Sequence, residues 1–183
     1  HVPGLTDQPI KWDEGPPWPA KSYHVPGWYR NSDKGKVRLL KRYAKEYGRD
    51  PRLRAFTINH VLRPAGVIGE SRQYQRQAAA ILSWVQQNIA YLNEPSELLQ
   101  GPWQTLKVRY GDCDDMALLM AAMAETIALP WKLTLAGKHR GTGRSVRWRD
   151  GDRFPHGVNF FHIYVTFGWP PFKPTTWVSA EPT

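Results

Sequence analysis

Apolar periodicity changes once along this sequence, and that switch limits the fold more than any single residue. Up to Ala128 the apolar residues recur at helical spacing; from Trp131 onward they come in short alternating runs. Val37, Leu40, Ala44 and Tyr47 mark a first helix, opposite a face carrying Lys34, Lys36, Lys41, Arg42 and Lys45. Asp50-Pro51, an N-cap followed by proline, opens a second that stops near Arg63-Pro64. A third starts near Ser71 and aligns Tyr74, Ala78, Ile81, Leu82, Val85 and Ile89. Ser96–Gln100 reads as one short helical turn before Gly101-Pro102. Gly111-Asp112 precedes a last helix, with a buried stripe of Met116, Leu119, Met120, Met123 and Ile127, ended by Leu129-Pro130. Trp131–Ala136, Phe160–Phe167 and Thr176–Ala180 read as strands, with a basic loop or ribbon over Gly137–Phe154. Helices followed by strands predict an α+β fold.

The first 32 residues fit neither pattern. Prolines at 3, 9, 16, 17, 19 and 26 forbid a long helix, while Trp12, Trp18, Trp28 and Tyr29 make simple disorder a poor description. The tetrapeptide HVPG at 1–4 and 24–27 is too short to be a domain repeat. The expected organisation is an extended Pro/Trp-rich arm over 1–32 and a single domain over 33–183. That domain would have a helical half, 33–128, and a strand-rich half, 131–183. A hydrophobic share of 41% supports a substantial core, and no apolar run approaches the roughly 18 residues of a membrane span. No signal peptide is recognisable, and the sequence opens at His1. The expectation is a soluble chain, with the compartment open between a bacterial cytoplasm and a virion.

Cys113 is the sole cysteine, so no intramolecular disulfide can form and a metal site would have at most one thiolate. The six histidines include no close helical pair. Neither a metal nor another cofactor is expected. Asp112 is a natural N-cap, which puts Cys113 at the first helical position. Unpaired N–H groups and the helix dipole there favour a thiolate, one that alkylates faster than a free thiol, and could hold an oxyanion. Asp114 and Asp115 oppose the thiolate, so a basic partner is required. In FFHIYVTF, Phe161, Ile163, Val165 and Phe167 would form the core face. His162 would point the other way with Phe160, Tyr164 and Thr166. A histidine facing a cleft can serve as a base. Glu181, after the strand WVSA, could accept a hydrogen bond from its ring.

GDCDDMALLMAAMAETIALP, FFHIYVTF and WVSAEPT together resemble the transglutaminase-like superfamily of papain-related cysteine enzymes, particularly its bacterial and phage-associated members. The resemblance covers roughly residues 71–183. It implies a papain-like core with the Cys-bearing helix packed on an antiparallel sheet that carries the histidine and the acid. It also implies Cys113 as nucleophile, His162 as general base and Glu181 as orienting acid, where the family normally has aspartate. Trp103, Gln104 and the Cys113 backbone N–H are the oxyanion candidates. The implied chemistry is acyl transfer on protein or peptide amides through a thioester, resolved by water or by an amine.

Two other functions compete. One is a virion or assembly protein that keeps the fold for architecture and meets its partners through the N-terminal arm. The other is nucleic-acid binding, for which the net charge of +9 and the basic stretch with Lys138, Arg140, Arg144, Arg147, Arg149 and Arg153 beside Trp148 are the signal. The Arg30–Arg54 stretch adds ten more basic residues. No recognised binding module accompanies this charge, so a solvated basic face is the favoured account.

Overall fold

The computed structural model describes residues 20–27, 32–67, 73–93 and 98–182. The expectations for Trp12, Trp18, Trp28 and Tyr29, and the helix start near Ser71, lie outside those residues. Helix α1 (Asp33–Tyr47) begins where the Ser32 hydroxyl accepts the Gly35 N–H at 3.1 Å, and it buries Val37, Leu40 and Ala44. Helix α2 (Pro51–Phe56) is capped by Asp50, whose carboxylate accepts the Arg52 N–H at 2.9 Å. A π-helical turn (Thr57–Leu62) and a 3-10 turn (Arg63–Ala65) then close the segment at Gly66, in left-handed backbone that suits glycine. Helix α3 (Tyr74–Asn88) buries Ala78, Ile81 and Val85, three of the stripe residues expected of it.

Four short strands tie the helical half together. Strand β1 (Ser22–His24), within the expected arm, pairs antiparallel with β3 (Leu98–Gln100). The helical turn expected over 96–100 is therefore a strand from residue 98. Its ladder partner lies some 75 residues away in the sequence, outside the reach of any local pattern. Strand β2 (Ala90–Tyr91) runs parallel to β4 (Tyr110–Gly111), on either side of helix α4 (Pro102–Val108).

Helix α5 (Cys113–Thr126) is the centre of the molecule. It was expected to bury a stripe, but every residue from Met116 to Ala124 is buried. Such a helix has no solvent face, and α1, α3, α4 and the main sheet all pack against it. That sheet has the order β6-β5-β7-β8 and is wholly antiparallel: β5 (Trp131–His139), β6 (Ser145–Arg149), β7 (Val158–Trp169) and β8 (Thr176–Ala180). The basic segment is thus the β5–β6 hairpin. One helix buried against a four-stranded antiparallel sheet, with further helices around it, is the α+β architecture expected. Among the described residues no helix is long and apolar enough to cross a membrane.

The alternation expected of β7 holds only in part. Both faces are buried from Ile163 to Phe167, so Tyr164 and Thr166 are core residues as well. Phe161 is 65% exposed rather than buried. The register explains this: Ala136 pairs with His162 and Gly137 with Phe160, so Phe161 has no partner on β5 and sits in a bulge.

Candidate active site

Gly111 and Asp112 fix the start of α5, and with it the position of Cys113. Asp112 Oδ1 accepts the Asp115 N–H at 3.1 Å, and Asp115 Oδ2 accepts the Asp112 N–H at 3.2 Å, a reciprocal capping box. The other oxygen of Asp115 accepts the Gln100 N–H at 2.8 Å, which joins the helix start to β3. A side chain at Gly111 would bring its Cβ to 2.8 Å from Asp115 Cβ, so the box closes only over a glycine. Burial raises the Asp115 carboxyl well above its ordinary range, and the charge of Asp112 adds to it.

Cys113 is partly buried, with its sulfur 3.7 Å from Asp114 Oδ1. A cleft of about 300 Å³ is bordered by Asp112, Cys113 and Asp114 on one side and by Phe160, Phe161, His162 and Ile163 of β7 on the other. The Ile163 backbone hydrogen-bonds toward the sulfur and lowers its pKa, but burial and the charges of Asp114 and Asp112 outweigh that. The thiol is pushed up to about 12. This runs against the expectation of a resting thiolate. The helix end supplies a modest stabilisation, whereas burial and two carboxylates act together against the anion.

His162 reaches the cleft from β7, and Glu181 follows β8. Glu181 Oε1 lies 2.8 Å from His162 Nε2, although that nitrogen has no well-aligned hydrogen-bond acceptor. The contact is accordingly an ion pair when the ring is protonated. Gln86 on α3 donates to the Glu181 carbonyl at 3.5 Å, a weak tie for the chain end.

Other expected residues lie elsewhere. Trp103 is fully buried and its indole N–H donates to Asp50 Oδ2 at 3.0 Å, so it is a core residue rather than an oxyanion donor. Gln104, half-buried on α4, is not among the described residues that border the cleft. Lys138, Arg140, Arg144 and Arg147 are exposed on the hairpin, and Arg149 stands over the Trp177 ring at 5.2 Å. None of the five borders the cleft. Among the described residues, no cluster of three His, Cys, Asp or Glu could hold a metal.

The cleft also has walls that the sequence did not reveal. Asp33 and Lys36 come from α1, Tyr91 and Asn93 from β2 and the residues just after it. Burial raises the Tyr91 phenol, and the negative charges of Asp112 and Asp114 raise it further, so it faces the cleft as a neutral donor. No local sequence signal marks it: the β2–β4 pairing sets Tyr91 level with Gly111, two residues before Cys113.

Residues 64–182, well over half of the chain, match the family model of the transglutaminase-like superfamily. The chain belongs to that superfamily. No curated protein matches the sequence. Among solved structures, a protein of Parabacteroides distasonis named as a candidate protease superposes with a TM-score of 0.53 at 13% identity. The match takes in 91% of this chain but only 28% of that one, so this chain spans under a third of its neighbour's length. A candidate cysteine protease of Cytophaga hutchinsonii matches over 82% of this chain and 56% of its own, with a TM-score of 0.32 and 16% identity. Membership of the transglutaminase-like superfamily, with the fold it shares, supports a thiol-dependent class of enzyme. The Cys-bearing helix against the antiparallel sheet is the arrangement expected of it.

Proposed function

We propose that this transglutaminase-like chain carries out acyl transfer on protein or peptide amides, with Cys113 as nucleophile, His162 as general base and Glu181 as the group that orients the ring. The observation that carries the reading is the Glu181–His162 contact at 2.8 Å, beside a cleft that Cys113 and His162 both border. A carboxylate on Nε2 leaves Nδ1 as the nitrogen for the thiol proton.

Because the resting sulfur holds its proton, the thiolate forms as it attacks. His162 takes the proton while sulfur bonds to the amide carbon, and the carbonyl oxygen becomes an oxyanion. The Cys113 backbone N–H at the helix start and the Tyr91 hydroxyl are the donors suited to it. Collapse breaks the carbon–nitrogen bond, His162 returns the proton to the departing amine, and a thioester remains. Water then gives an acid, or a second amine gives a new amide; either restores the thiol.

A glutamine-bearing peptide incubated with and without hydroxylamine tests this reading. Hydrolysis yields glutamate, transfer yields the hydroxamate, and both disappear in Cys113→Ala and His162→Ala. Equal turnover in parent and variants would reject it.

A further inference from the structure

We propose that Phe161 determines substrate specificity, by seating an aromatic side chain of the peptide next to the amide under attack. The inference deepens the proposed function, since it takes the same cleft as the site of peptide binding.

A regular strand shows alternate residues to opposite faces, so Phe161 would share the buried face of Ile163 and Val165 rather than stand exposed at the cleft. Here Phe160, Phe161 and His162 all border it. The bulge is what exposes Phe161, which has no β5 partner between the Gly137–Phe160 and Ala136–His162 pairs. The bulge is built in by Gly137, where an added Cβ would stand 2.1 Å from the Asn159 carbonyl oxygen and 2.7 Å from Phe160 Cα. Only a glycine lets β5 approach that closely.

The result is an apolar ring turned into solvent beside the base, while the strand from Ile163 to Gly168 is core. Tyr91, half exposed, borders the same cleft from β2, and Phe160 packs against Phe154 with centroids 5.7 Å apart. A substrate ring entering here meets aromatic surfaces and is removed from water on at least two sides. The carboxylates of Asp33, Asp112 and Asp114 also border the cleft and make a cationic side chain the competing occupant. Asp112, however, is held in its capping box, and Asp114 already has interactions of its own.

The test is a titration followed by amide NMR shifts at His162 and Ile163, with N-acetyl-phenylalanine amide, N-acetyl-alanine amide and N-acetyl-lysine amide as probes. The parent should bind the phenylalanine amide about tenfold more tightly than the alanine amide, and Phe161→Ala should bring the two together. Phe161→Tyr should keep most of the preference. Because Phe161 is exposed, the alanine variant should fold as the parent does, checked by its melting temperature. Equal binding of the phenylalanine and alanine amides by the parent overturns the proposal, as does a preference that survives Phe161→Ala. Tighter binding of the lysine amide overturns it in favour of the carboxylates. No bond is made in this experiment, so an inactive thiol would leave its outcome unchanged.

Discussion

Glu181 meets His162 diagonally across two strands. Ala180 pairs with Val165, so Glu181, one step further, falls level with Tyr164, and His162 lies two residues beyond on the same face of β7. Diagonal neighbours in an antiparallel pair stand about 7–8 Å apart at Cα, within reach of a long side chain. The glutamate covers that diagonal and closes to 2.8 Å from Nε2. Its extra methylene relative to the family's usual aspartate therefore serves this geometry.

Glu181→Gln should lower acyl transfer by roughly 100-fold, since the ring loses the negative charge beside Nε2. Glu181→Asp should also fall, by about tenfold or more, because the shorter side chain stops short of Nε2. Steady-state kinetics on a glutamine peptide distinguish the two. An aspartate variant as active as the parent would show that the reach of the glutamate is immaterial.

Asp114 stands 3.7 Å from the sulfur and helps to push the thiol up to about 12. Asp114→Asn removes a negative charge beside the forming thiolate, so the thiol pKa should fall and more thiolate should be present near neutral pH. Alkylation of Cys113 by iodoacetamide, followed by intact mass, should be slower in the parent than in free cysteine. In the variant it should be about three- to tenfold faster than in the parent. The single cysteine makes the assignment unambiguous.

Asp115 holds two backbone N–H groups, from Gln100 and Asp112, and is 1% exposed. Asp115→Ala leaves both donors without their acceptor and should cost roughly 3 kcal/mol in urea unfolding. The folded state raises this carboxyl above its ordinary 3.8 and so favours its protonated form. That contribution is complete below the unfolded value and is lost as pH rises through the folded one. The stability difference between the parent and Asp115→Asn should therefore narrow from roughly pH 4 toward about pH 8.

Gly137→Ala places a methyl group against the Asn159 backbone, which cannot yield as a side-chain tip could. It should destabilise the fold by about 2 kcal/mol and impair acyl transfer beyond what that loss explains. The cause is that the bulge carrying Phe161 sits next to His162. Thermal unfolding and kinetics on the same variant separate the two effects.

Much of the helical half and three of the four strands of the main sheet were legible, because each rests on local signals. Asp50 caps as its type suggests, and Asp112 sets Cys113 at the first turn of its helix. What was hidden depends on contacts distant in sequence. Leu98–Gln100 becomes a strand only because Ser22–His24 lies beside it. Phe161 leaves the core because Gly137 admits a bulge from another strand. Trp103 is taken up by Asp50, a bond that no spacing announces. Burial, which raises the Cys113 thiol against the pull of its helix position, is not visible in a sequence. Glu181 was identified by residue type and order, but its diagonal reach follows from the β7–β8 register.

The central claim is that Cys113 and His162 act as one nucleophilic pair. Stopped-flow acylation by p-nitrophenyl acetate near neutral pH tests it most directly, with the acetyl group located by mass spectrometry. A burst of about one p-nitrophenol per chain and a label on Cys113 are expected. Acylation should be at least 100-fold slower in His162→Ala, the loss expected when a general base is removed. Equal acylation rates in the parent and in His162→Ala, both at the level of a simple thiol, would contradict it.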